Sequence, residues 1–599
     1  MVSVQKILVI MILLACAAYT QEVPQFEVAD NTSLGMIPVL LDRWGCTIAD
    51  IDRNGWPDIY NYKWRGNLDS QLYLNQDGFF TDIFMNSPQL RQAEQDGYAV
   101  RTPVFADFDN DGDRDLMIGF DYTHKMFRND DNVFVDITEQ LGMVSKVPGF
   151  VSVYGYEMSA WTDWDGDGDL DALMVQTNNP DYIFYRNDGN KFVDIAAEVG
   201  LKGQNALGNN ADRGYHTTRI QWVDWDNDGD ADLSAGYKLF RKEGGFLTEV
   251  SQQVGFLTYQ GIRFCDWFDY DVDGDLDFFI QGSSSNDEIW QNEGGKFVNA
   301  THQTNLDLFT KATQVSLNIG DFDNDGDEDG FFSMSNYTDI DALLLNVEEG
   351  GVRNFLDVAQ FAGFSVVGDR KGAAILDYDM DGKLDVVSSS MDYGTIVYHN
   401  LGTATPRNWV GFDLWGTKSN KDALGTWVTV FAEGKKYVRY TKAARTWKIQ
   451  DNPFVHFGLN MATTIDSVVI RWPLGNVQVL KNVTINQYHK IVETTGTSVK
   501  ASNIKRPELM MLSQNYPNPF NPETRIEFQL PVNAHILLEI YNLSGQKVVT
   551  LIDGSQSAGS HSVVWNGRDN QNQILPSGMY LYQLSTDRIT MMNKMLFIR

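Results

Sequence analysis

Seven nine-residue segments carry oxygen-bearing side chains at alternating positions. In each segment a carboxylate or amide occupies positions one, three and five, Gly occupies position six and Asp occupies position nine. Ca²⁺ takes about six to eight hard oxygen ligands, and alternate side chains of a tight loop point inward together. Gly at position six permits the turn that brings position nine back to the cluster, while position seven needs to offer only its carbonyl. The spacing therefore predicts about seven Ca²⁺ sites.

The predicted side-chain ligands follow this spacing in chain order, four to a loop. They are Asp50, Asp52, Asn54 and Asp58; Asp107, Asp109, Asp111 and Asp115; Asp163, Asp165, Asp167 and Asp171; Asp224, Asp226, Asp228 and Asp232; Asp269, Asp271, Asp273 and Asp277; Asp321, Asp323, Asp325 and Asp329; and Asp377, Asp379, Asp381 and Asp385. The first set has three carboxylates and an adjacent Arg53, and we expect it to bind most weakly.

The charge distribution favours metal binding over merely acidic, solvated turns. The formal charge is −33 and the seven loops hold 32 aspartates, so the rest of the chain is nearly neutral. Several carboxylates in one turn repel each other unless a cation lies among them. An EF-hand is excluded, because its loop ends in Glu at position twelve, where these loops have apolar residues such as Ile118 and Met174.

Residues 1–20 have the pattern of an export signal, with Lys6 ahead of an apolar run at residues 7–18. That run is too short to span a bilayer and no later stretch is longer, so we expect no transmembrane segment and an extracytoplasmic protein. The residues around Cys16 also resemble a lipoprotein cleavage site, which leaves lipidation open.

Two further cysteines, Cys46 and Cys265, each lie four residues before a loop on equivalent predicted strands. We expect buried, unpaired thiols rather than a disulfide. Stability must then come from core burial and bound metal.

The repeat extends beyond the loops over residues 22–405, with 45 to 61 residues between successive first aspartates. Each repeat is predicted to form four short strands, the fourth Phe-rich as at residues 192–195, which is typical of a β-propeller blade. The chain opens with a fourth-strand motif at residues 26–29, while the seventh repeat ends at its third strand, residues 396–400. The first strand should therefore complete the last blade of a seven-bladed β-propeller.

The Phe-rich strand and the Asp-x-Asp-x-Asp-Gly-x-x-Asp loop resemble the FG-GAP (VCBS-type) repeat of integrin α-subunit propellers and their bacterial relatives. The resemblance covers residues 22–405. It implies that Ca²⁺ is structural at the blade edges and that ligand recognition occurs elsewhere.

Residues 406–496 are predicted to form a small all-β module without acidic loops. Its motifs, at residues 408–410, 420–425, 456–459 and 468–475, resemble the ASPIC/UnbV domain that follows FG-GAP propellers in the cartilage acidic protein family. Trp427 is larger than the residue that relatives tend to have, which we expect to affect only local packing. His456 is expected to be a hydrogen-bonded strand residue, because no second His or Cys lies at metal-binding spacing.

Residues 497–511 are polar and are predicted to be a linker, and residues 512–599 are predicted to form a C-terminal immunoglobulin-like β-sandwich of about seven short strands. The proline-rich segment 516–522 and the terminal residues 594–599 resemble the type A C-terminal sorting domain of type IX secretion substrates. This resemblance implies contact with the type IX secretion machinery of a Gram-negative bacterium, followed by release or attachment to surface lipopolysaccharide.

Three functions stay open on the sequence. We favour non-enzymatic adhesion or recognition of an extracellular protein or glycan over a polysaccharide hydrolase or lyase, and over a structural spacer. The common hydrolase, zinc-protease and phosphate-loop motifs are missing from the sequence. A glycosidase with two catalytic carboxylates stays open, because Asp and Glu are so abundant that their spacing neither supports nor excludes one. The net negative charge argues against binding to nucleic acid.

Seven tryptophans near the loops could stack on sugars, but we expect core burial for most: Trp56, Trp161, Trp164, Trp222, Trp225, Trp267 and Trp290.

Overall fold

The computed structural model is almost entirely β-sheet, which confirms the predicted all-β class. It describes residues 22–598 apart from 38–42, 65–67, 97–98, 121–122, 144–155, 177–181, 203–219, 237, 258–261, 283–286, 307–313, 444–448, 451–453, 495–498, 501, 504–510, 513–514, 516–517, 519, 531–533, 543–544, 557–558, 572 and 587–589. The predicted signal peptide and Cys16 lie outside the described residues. The chain divides into two compact units, the first ending at Asn503 and the second running over Ile504–Arg599.

The first unit begins with β1 (Gln25–Val28) and continues with seven successive groups of antiparallel strands, the last two of which join with β1 into one eight-stranded sheet. The groups are β2 (Arg43–Ala49), β3 (Asp58–Lys63), β4 (Gln71–Gln76) and β5 (Phe79–Asp82); β6 (Val100–Ala106), β7 (Asp115–Phe120), β8 (His124–Asp130) and β9 (Val133–Asp136); β10 (Tyr156–Thr162), β11 (Asp171–Gln176), β12 (Ile183–Asn187) and β13 (Phe192–Asp194); β14 (Ile220–Val223), β15 (Asp232–Ala235), β16 (Lys238–Glu243) and β17 (Phe246–Glu249); β18 (Ile262–Phe268), β19 (Asp277–Gly282), β20 (Glu288–Asn292) and β21 (Phe297–Asn299); β22 (Gln314–Gly320), β23 (Asp329–Ile340), β24 (Ala342–Glu349) and β25 (Val352–Asp357); and β26 (Val367–Leu376), β27 (Asp385–Ser390) and β28 (Gly394–Gly402). One α-helix, α1 (Pro88–Gln95), and two 3₁₀ turns, Phe84–Asn86 and Thr301–Gln303, interrupt them.

Each acidic loop joins the first and second strands of its group. Position one follows the last residue of the first strand, and position nine is the first residue of the second strand, in all seven groups. The strands therefore hold both ends of every loop in the same relative position.

The terminal strand β1 pairs antiparallel with β28, with Phe26 opposite Asn400 and Val28 opposite Tyr398. Phe26 is buried against Phe322 and Phe364. The chain start thus supplies the fourth strand of the seventh group, as the sequence predicts, and covers the edge that β28 would otherwise expose.

A buried amide at the end of each third strand bonds its group to the preceding one. Asn187 Nδ2, for example, donates to the carbonyl of Phe108, which is position two of the second loop, over 2.8 Å. The same bond recurs at Asn129, Asn292, Asn346 and Asn400, and Lys242 Nζ takes the amide's place in the fourth group. Asn75 of the first group reaches the carbonyl of Tyr378 in the seventh loop over 2.8 Å. The seven bonds therefore form a closed cycle.

Aromatic and thiol side chains fill the core between the groups. The seven tryptophans are each 7 % exposed or less, so they contribute to packing rather than to a sugar-binding surface. Cys46 and Cys265 are fully buried and are not joined in a disulfide, as expected.

All but one of the remaining strands of the first unit form a module of two sheets around one apolar core; the exception, Ile449–Gln450, pairs in parallel with β2 of the first group. They are β29 (Asn408–Trp415), β30 (Trp427–Ala432), β31 (Lys435–Tyr440), β32 (Ile449–Gln450), β33 (Val455–Asn460), β34 (Ser467–Arg471), β35 (Val477–Lys481), β36 (Tyr488–Val492), β37 (Val499–Lys500) and β38 (Ser502–Asn503). The short strands β37 and β38, within the predicted linker, pair with β35 and β36. We call β29–β38 the capping module, because it lies over the acidic loops.

The second unit contains two sheets that enclose its own core. Its strands are β39 (Met511–Leu512), β40 (Thr524–Leu530), β41 (Ala534–Asn542), β42 (Lys547–Gln556), β43 (Gly559–Trp565), β44 (Gly578–Ser585) and β45 (Thr590–Phe597). Among the described residues, no helix has the length and apolar character needed to cross a bilayer.

Candidate metal centres and the module that covers them

Two backbone features give every loop the same shape. Position four has a left-handed φ between 54° and 76°, at Arg53, Asn110, Gly166, Asn227, Val272, Asn324 and Met380, and Gly at position six has a φ between 85° and 108°. Left-handed geometry is unfavourable for a β-branched residue, so Val272 at φ 62° shows that the loop shape is imposed against local preference.

Backbone N–H groups fix the carboxylates at both ends of each loop. In six loops the position-one carboxylate accepts from the Gly at position six over 2.7 to 3.1 Å. In the same six loops the position-nine carboxylate accepts from position two and from the third strand; Asp171, for example, binds the N–H of Trp164 and of Asn187, both over 2.7 Å. These N–H donors therefore help to hold the carboxylates at the two ends of the loop in fixed orientations.

The structure brings predicted ligands together in at least four of the seven loops. In the first three loops one oxygen from each of positions one, three and nine lies within 4.8 Å of the others, and in the fourth loop the same holds for positions one, three and five. The position-nine aspartates are all buried, whereas positions three and five of several loops face solvent.

Several of these buried carboxylates have an oxygen with no hydrogen-bond partner among the described residues. They are Asp50 Oδ1, Asp107 Oδ1, Asp224 Oδ1, Asp226 Oδ1, Asp232 Oδ2 and Asp379 Oδ1, and a further such oxygen, Asp327 Oδ1, belongs to position seven of the sixth loop, outside the predicted ligand set. Burying a carboxylate oxygen without a hydrogen bond or a counter-ion costs folding free energy. A hard cation such as Ca²⁺ can remove this cost, because it binds to clusters made only of oxygen ligands. The residues present therefore fit Ca²⁺.

Burial raises the pKa of these carboxyl groups far above their ordinary range. The pKa rises to about 7 at Asp50, about 8 at Asp171 and about 9 at Asp232, chiefly through desolvation and with further increases from neighbouring aspartates. In the absence of a cation these raised pKa values would favour the protonated form of the buried carboxyls, and a divalent ion would displace the protons.

The first and seventh loops differ from the others. Asn54 donates through Nδ2 to Asp52 Oδ2 over 3.3 Å and accepts from the N–H of Trp56, so its amide is engaged inside the loop. Arg53 points away, to Asp422 of the capping module at 2.7 Å.

In the seventh loop, Lys383 Nζ forms an ion pair with the predicted ligand Asp381, and His399 Nδ1 lies 3.2 Å from Asp385 Oδ1. Both contacts bring a cationic or ionisable group next to a predicted ligand. The sequence argument, which treated position seven as a carbonyl ligand alone, missed them.

The capping module hydrogen-bonds directly to position-one carboxylates. Trp427 Nε1 and Arg471 Nη2 donate to Asp224 Oδ2 over 2.9 and 3.0 Å. Tyr488 donates its hydroxyl proton to Asp377 Oδ2 over 2.8 Å. Each bond uses an oxygen of a predicted metal ligand, so the module and a bound cation share the same carboxylates.

The sixth loop is covered most closely. The N–H of Gly458 donates to Asp321 Oδ2 over 3.0 Å, and a Cβ at Gly458 would lie 2.2 Å from that oxygen. Only glycine fits at position 458, because its backbone lies so close to the Asp321 carboxylate.

His456 beside it is a buried strand residue whose Nε2 lies 3.1 Å from the carbonyl of Gly382, which agrees with the structural role expected for it.

A buried ion-pair cluster anchors the module over the first and second loops. Asp422 accepts from Arg53 at 2.7 Å, from Arg114 at 2.8 Å and from the N–H of Asp107 at 2.7 Å, and the two guanidinium groups lower its pKa despite burial. This cluster joins residues more than 300 positions apart and was not predicted.

Trp427 was expected to affect only local packing, but its indole N–H donates to the predicted ligand Asp224.

Three family models match separate parts of the chain. An FG-GAP-like repeat matches residues 269–331, the ASPIC and UnbV family matches residues 416–498, and an FlgD Ig-like domain matches residues 515–588. The first two confirm the resemblances inferred for the repeats and the module. The third match describes the C-terminal segment as FlgD Ig-like, and assignment to a sorting domain stays a prediction. A comparison with curated proteins found no match.

Solved structures similar to parts of the chain include a sugar-binding protein and an enzyme. An Agrocybe aegerita lectin that recognises non-reducing terminal N-acetylglucosamine is 15% identical, with 64% of this chain and 92% of the lectin covered and a TM-score of 0.37. A Bacillus licheniformis rhamnogalacturonan lyase is 12% identical over 74% of this chain and 83% of the lyase, also at 0.37. FlgD from P. aeruginosa is 31% identical, but the chain spans only 59% of its length and 12% of this chain is covered, at a TM-score of 0.11. These scores carry no argument about function.

Proposed function

We propose that this protein is an exported, calcium-binding seven-bladed β-propeller that recognises an extracellular protein or glycan and catalyses no reaction. The observation that carries the calcium assignment is the recurrence, around the first unit, of buried carboxylate oxygens without a partner among the described residues. FG-GAP-like and ASPIC/UnbV matches support an extracellular β-rich protein.

The propeller assignment rests on two independent closures. β1 completes the seventh group, and the cycle of amide bonds returns from the seventh loop to Asn75. Both contacts join the start of the chain to the seventh group. A linear array of seven groups would hold these two ends apart, whereas a ring brings them together.

Calcium in this arrangement would have a structural task. Bound ions would neutralise the clustered carboxylates beneath the capping module. Asp224, Asp321 and Asp377 would then hold the module through one oxygen and the ion through the other. Recognition would occur on surfaces that the module leaves open.

Metal analysis of the purified protein tests the calcium assignment. We expect about seven Ca²⁺ per chain, and a lower melting temperature after chelation because only the folded loops bind the ion. Two or fewer ions, or a melting temperature that chelation leaves unchanged, would overturn the assignment.

Export through the type IX machinery to the surface of a Gram-negative bacterium, or beyond it, is the localisation we propose. Deleting residues 514–599 should leave the first unit folded but retained in the periplasm. Appearance of the truncated protein in the medium or on the cell surface would disprove this route. A parallel activity screen on polysaccharides distinguishes recognition from a hydrolase or lyase.

A further inference from the structure

A cavity of about 170 Å³ lies between the third and fourth acidic loops, under the edge of the capping module. Asp163 and Asp165 line one side, Asp224 lines another, and Tyr440 and Leu474 of the module close it. The cavity therefore joins two candidate metal centres to an apolar wall.

The fourth loop presents a fixed, unsatisfied oxygen to this cavity. Asp224 is 3 % exposed, and its Oδ2 accepts from Trp427 and Arg471. Its Oδ1 has no hydrogen-bond partner among the residues that the structure describes. Because the two donors hold one oxygen, the other is held in a constant direction toward a cation or a ligand group.

The third loop is more open than the sixth. The Asp165 side chain at position three is 38 % exposed, compared with 6 % for Asp323 at the same position in the sixth loop. An ion held by Asp163, Asp165 and Asp171 can therefore keep coordination positions open to solvent. Ca²⁺ takes about six to eight oxygens and accepts hydroxyl groups among them.

The boundary between the third and fourth groups differs from the other six. Lys242 replaces the linking asparagine, and its Nζ donates to the carbonyl of Trp164 over 2.8 Å while lying 4.6 Å from the centre of the Trp164 ring. Its ammonium group is also 3.5 Å from Asp230 Oδ1. The cavity wall thus contains an ammonium group where the other six boundaries have an amide.

The opposite wall is apolar and reaches solvent. Leu474 is 42 % exposed although it is large and hydrophobic, and it lies beside Gly166 of the third loop. A site with carboxylates and a cation on one side and apolar carbon on the other suits a ligand with hydroxyl groups on one face and C–H groups on the other. A sugar ring has this arrangement, and the cavity has room for one.

We propose that this cavity binds a single sugar residue of a glycan. Adjacent hydroxyl groups complete the oxygen shell that Asp163 and Asp165 begin, and the apolar face of the sugar packs on Leu474 and Tyr440. Lys242, which also lines the cavity, offers a further polar contact. The inference rests on the proposed calcium sites and names the site at which the proposed recognition occurs.

A glycan array with the full-length, Ca²⁺-loaded protein provides the first test. We expect binding that EDTA abolishes. The strongest-binding glycan is then titrated calorimetrically against the wild type, Leu474→Arg and Val477→Arg. Leu474→Arg fills the cavity mouth without removing a metal ligand, and Val477, 43 % exposed on the same module but outside the cavity, is the matched control.

The expected result is at least a tenfold loss of affinity in Leu474→Arg and an unchanged affinity in Val477→Arg. Calcium content and melting temperature are measured for each variant. Normal calcium content with no EDTA-sensitive glycan binding, or with equal affinity in Leu474→Arg, would overturn the sugar site and leave the calcium assignment intact. Two or fewer ions per chain would overturn the calcium assignment itself.

Discussion

The stability of the metal-free protein should fall as pH rises from about 4 to 8, in contrast to most proteins. The reason is the buried loop carboxyls, whose pKa values are raised in the folded state. A group with a raised folded pKa favours folding below its unfolded pKa, and this contribution is lost progressively up to the folded pKa. For Asp171 the window runs from its ordinary value of 3.8 to about 8.

Asp171 indicates the size of the effect. It is 1 % exposed, so solvent screening is small. Each pKa unit is worth about 1.4 kcal/mol, so at pH 7 the raised pKa of Asp171 costs the metal-free fold about 4 kcal/mol relative to low pH. Such a loss is a large part of the stability of a typical domain, which is about 5–15 kcal/mol. Bound calcium should remove this loss of stability, because it favours the ionised form of the Asp171 carboxyl group.

The assay is thermal unfolding of metal-stripped and Ca²⁺-saturated protein between pH 5 and 8. The metal-free melting temperature should fall across this range, and the increase on adding Ca²⁺ should grow with pH. Asp171→Asn, which cannot ionise, should flatten the metal-free profile and reduce the calcium effect. Asp188→Asn is the control, because Asp188 is exposed in the same group and paired with Arg186 at 2.7 Å.

A metal-free melting temperature that rises between pH 5 and 8 would refute this reasoning. The reasoning would also be refuted if calcium raised the melting temperature by the same amount at pH 5 and at pH 8, because proton release and ion binding would then be unrelated.

Three further predictions concern particular contacts. Deleting residues 22–32 should lower the melting temperature of the first unit far more than a terminal trimming, because β28 loses its partner; an unchanged value would contradict closure by β1. During chelator titration followed by direct calcium analysis, the first loop should empty first and Asn54→Asp should tighten it; persistence of that loop would refute the ranking. Tyr488→Phe removes the bond to Asp377 and should cost about 1–3 kcal/mol and speed calcium release in stopped-flow chelation, whereas wild-type rates would exclude the coupling.

Much of the first unit was predictable because its signals are local. The loop ligands lie within nine residues of each other, and strands begin and end at the loops, so spacing alone predicted where Asp163 and Asp171 would converge. The left-handed fourth position was missed, although Asn110, Asn227, Asn324 and Gly166 are residue types that adopt it readily. The recurring asparagine at Asn187 and its equivalents was also visible as a repeat, but its bond to the preceding loop was not.

The sequence by itself determined the all-β class, the candidate ligands and the pairing of the first strand with the seventh group, because residue type and short-range period suffice for each. Only the tertiary structure decided which carboxylates the capping module covers, since Trp427 and Asp224 are 203 residues apart and meet through packing alone. It also showed that the tryptophans expected near the loops lie in the core, and that Asp422 joins Arg53 and Arg114. Such contacts depend on how distant surfaces fit together, and no local spacing encodes that fit.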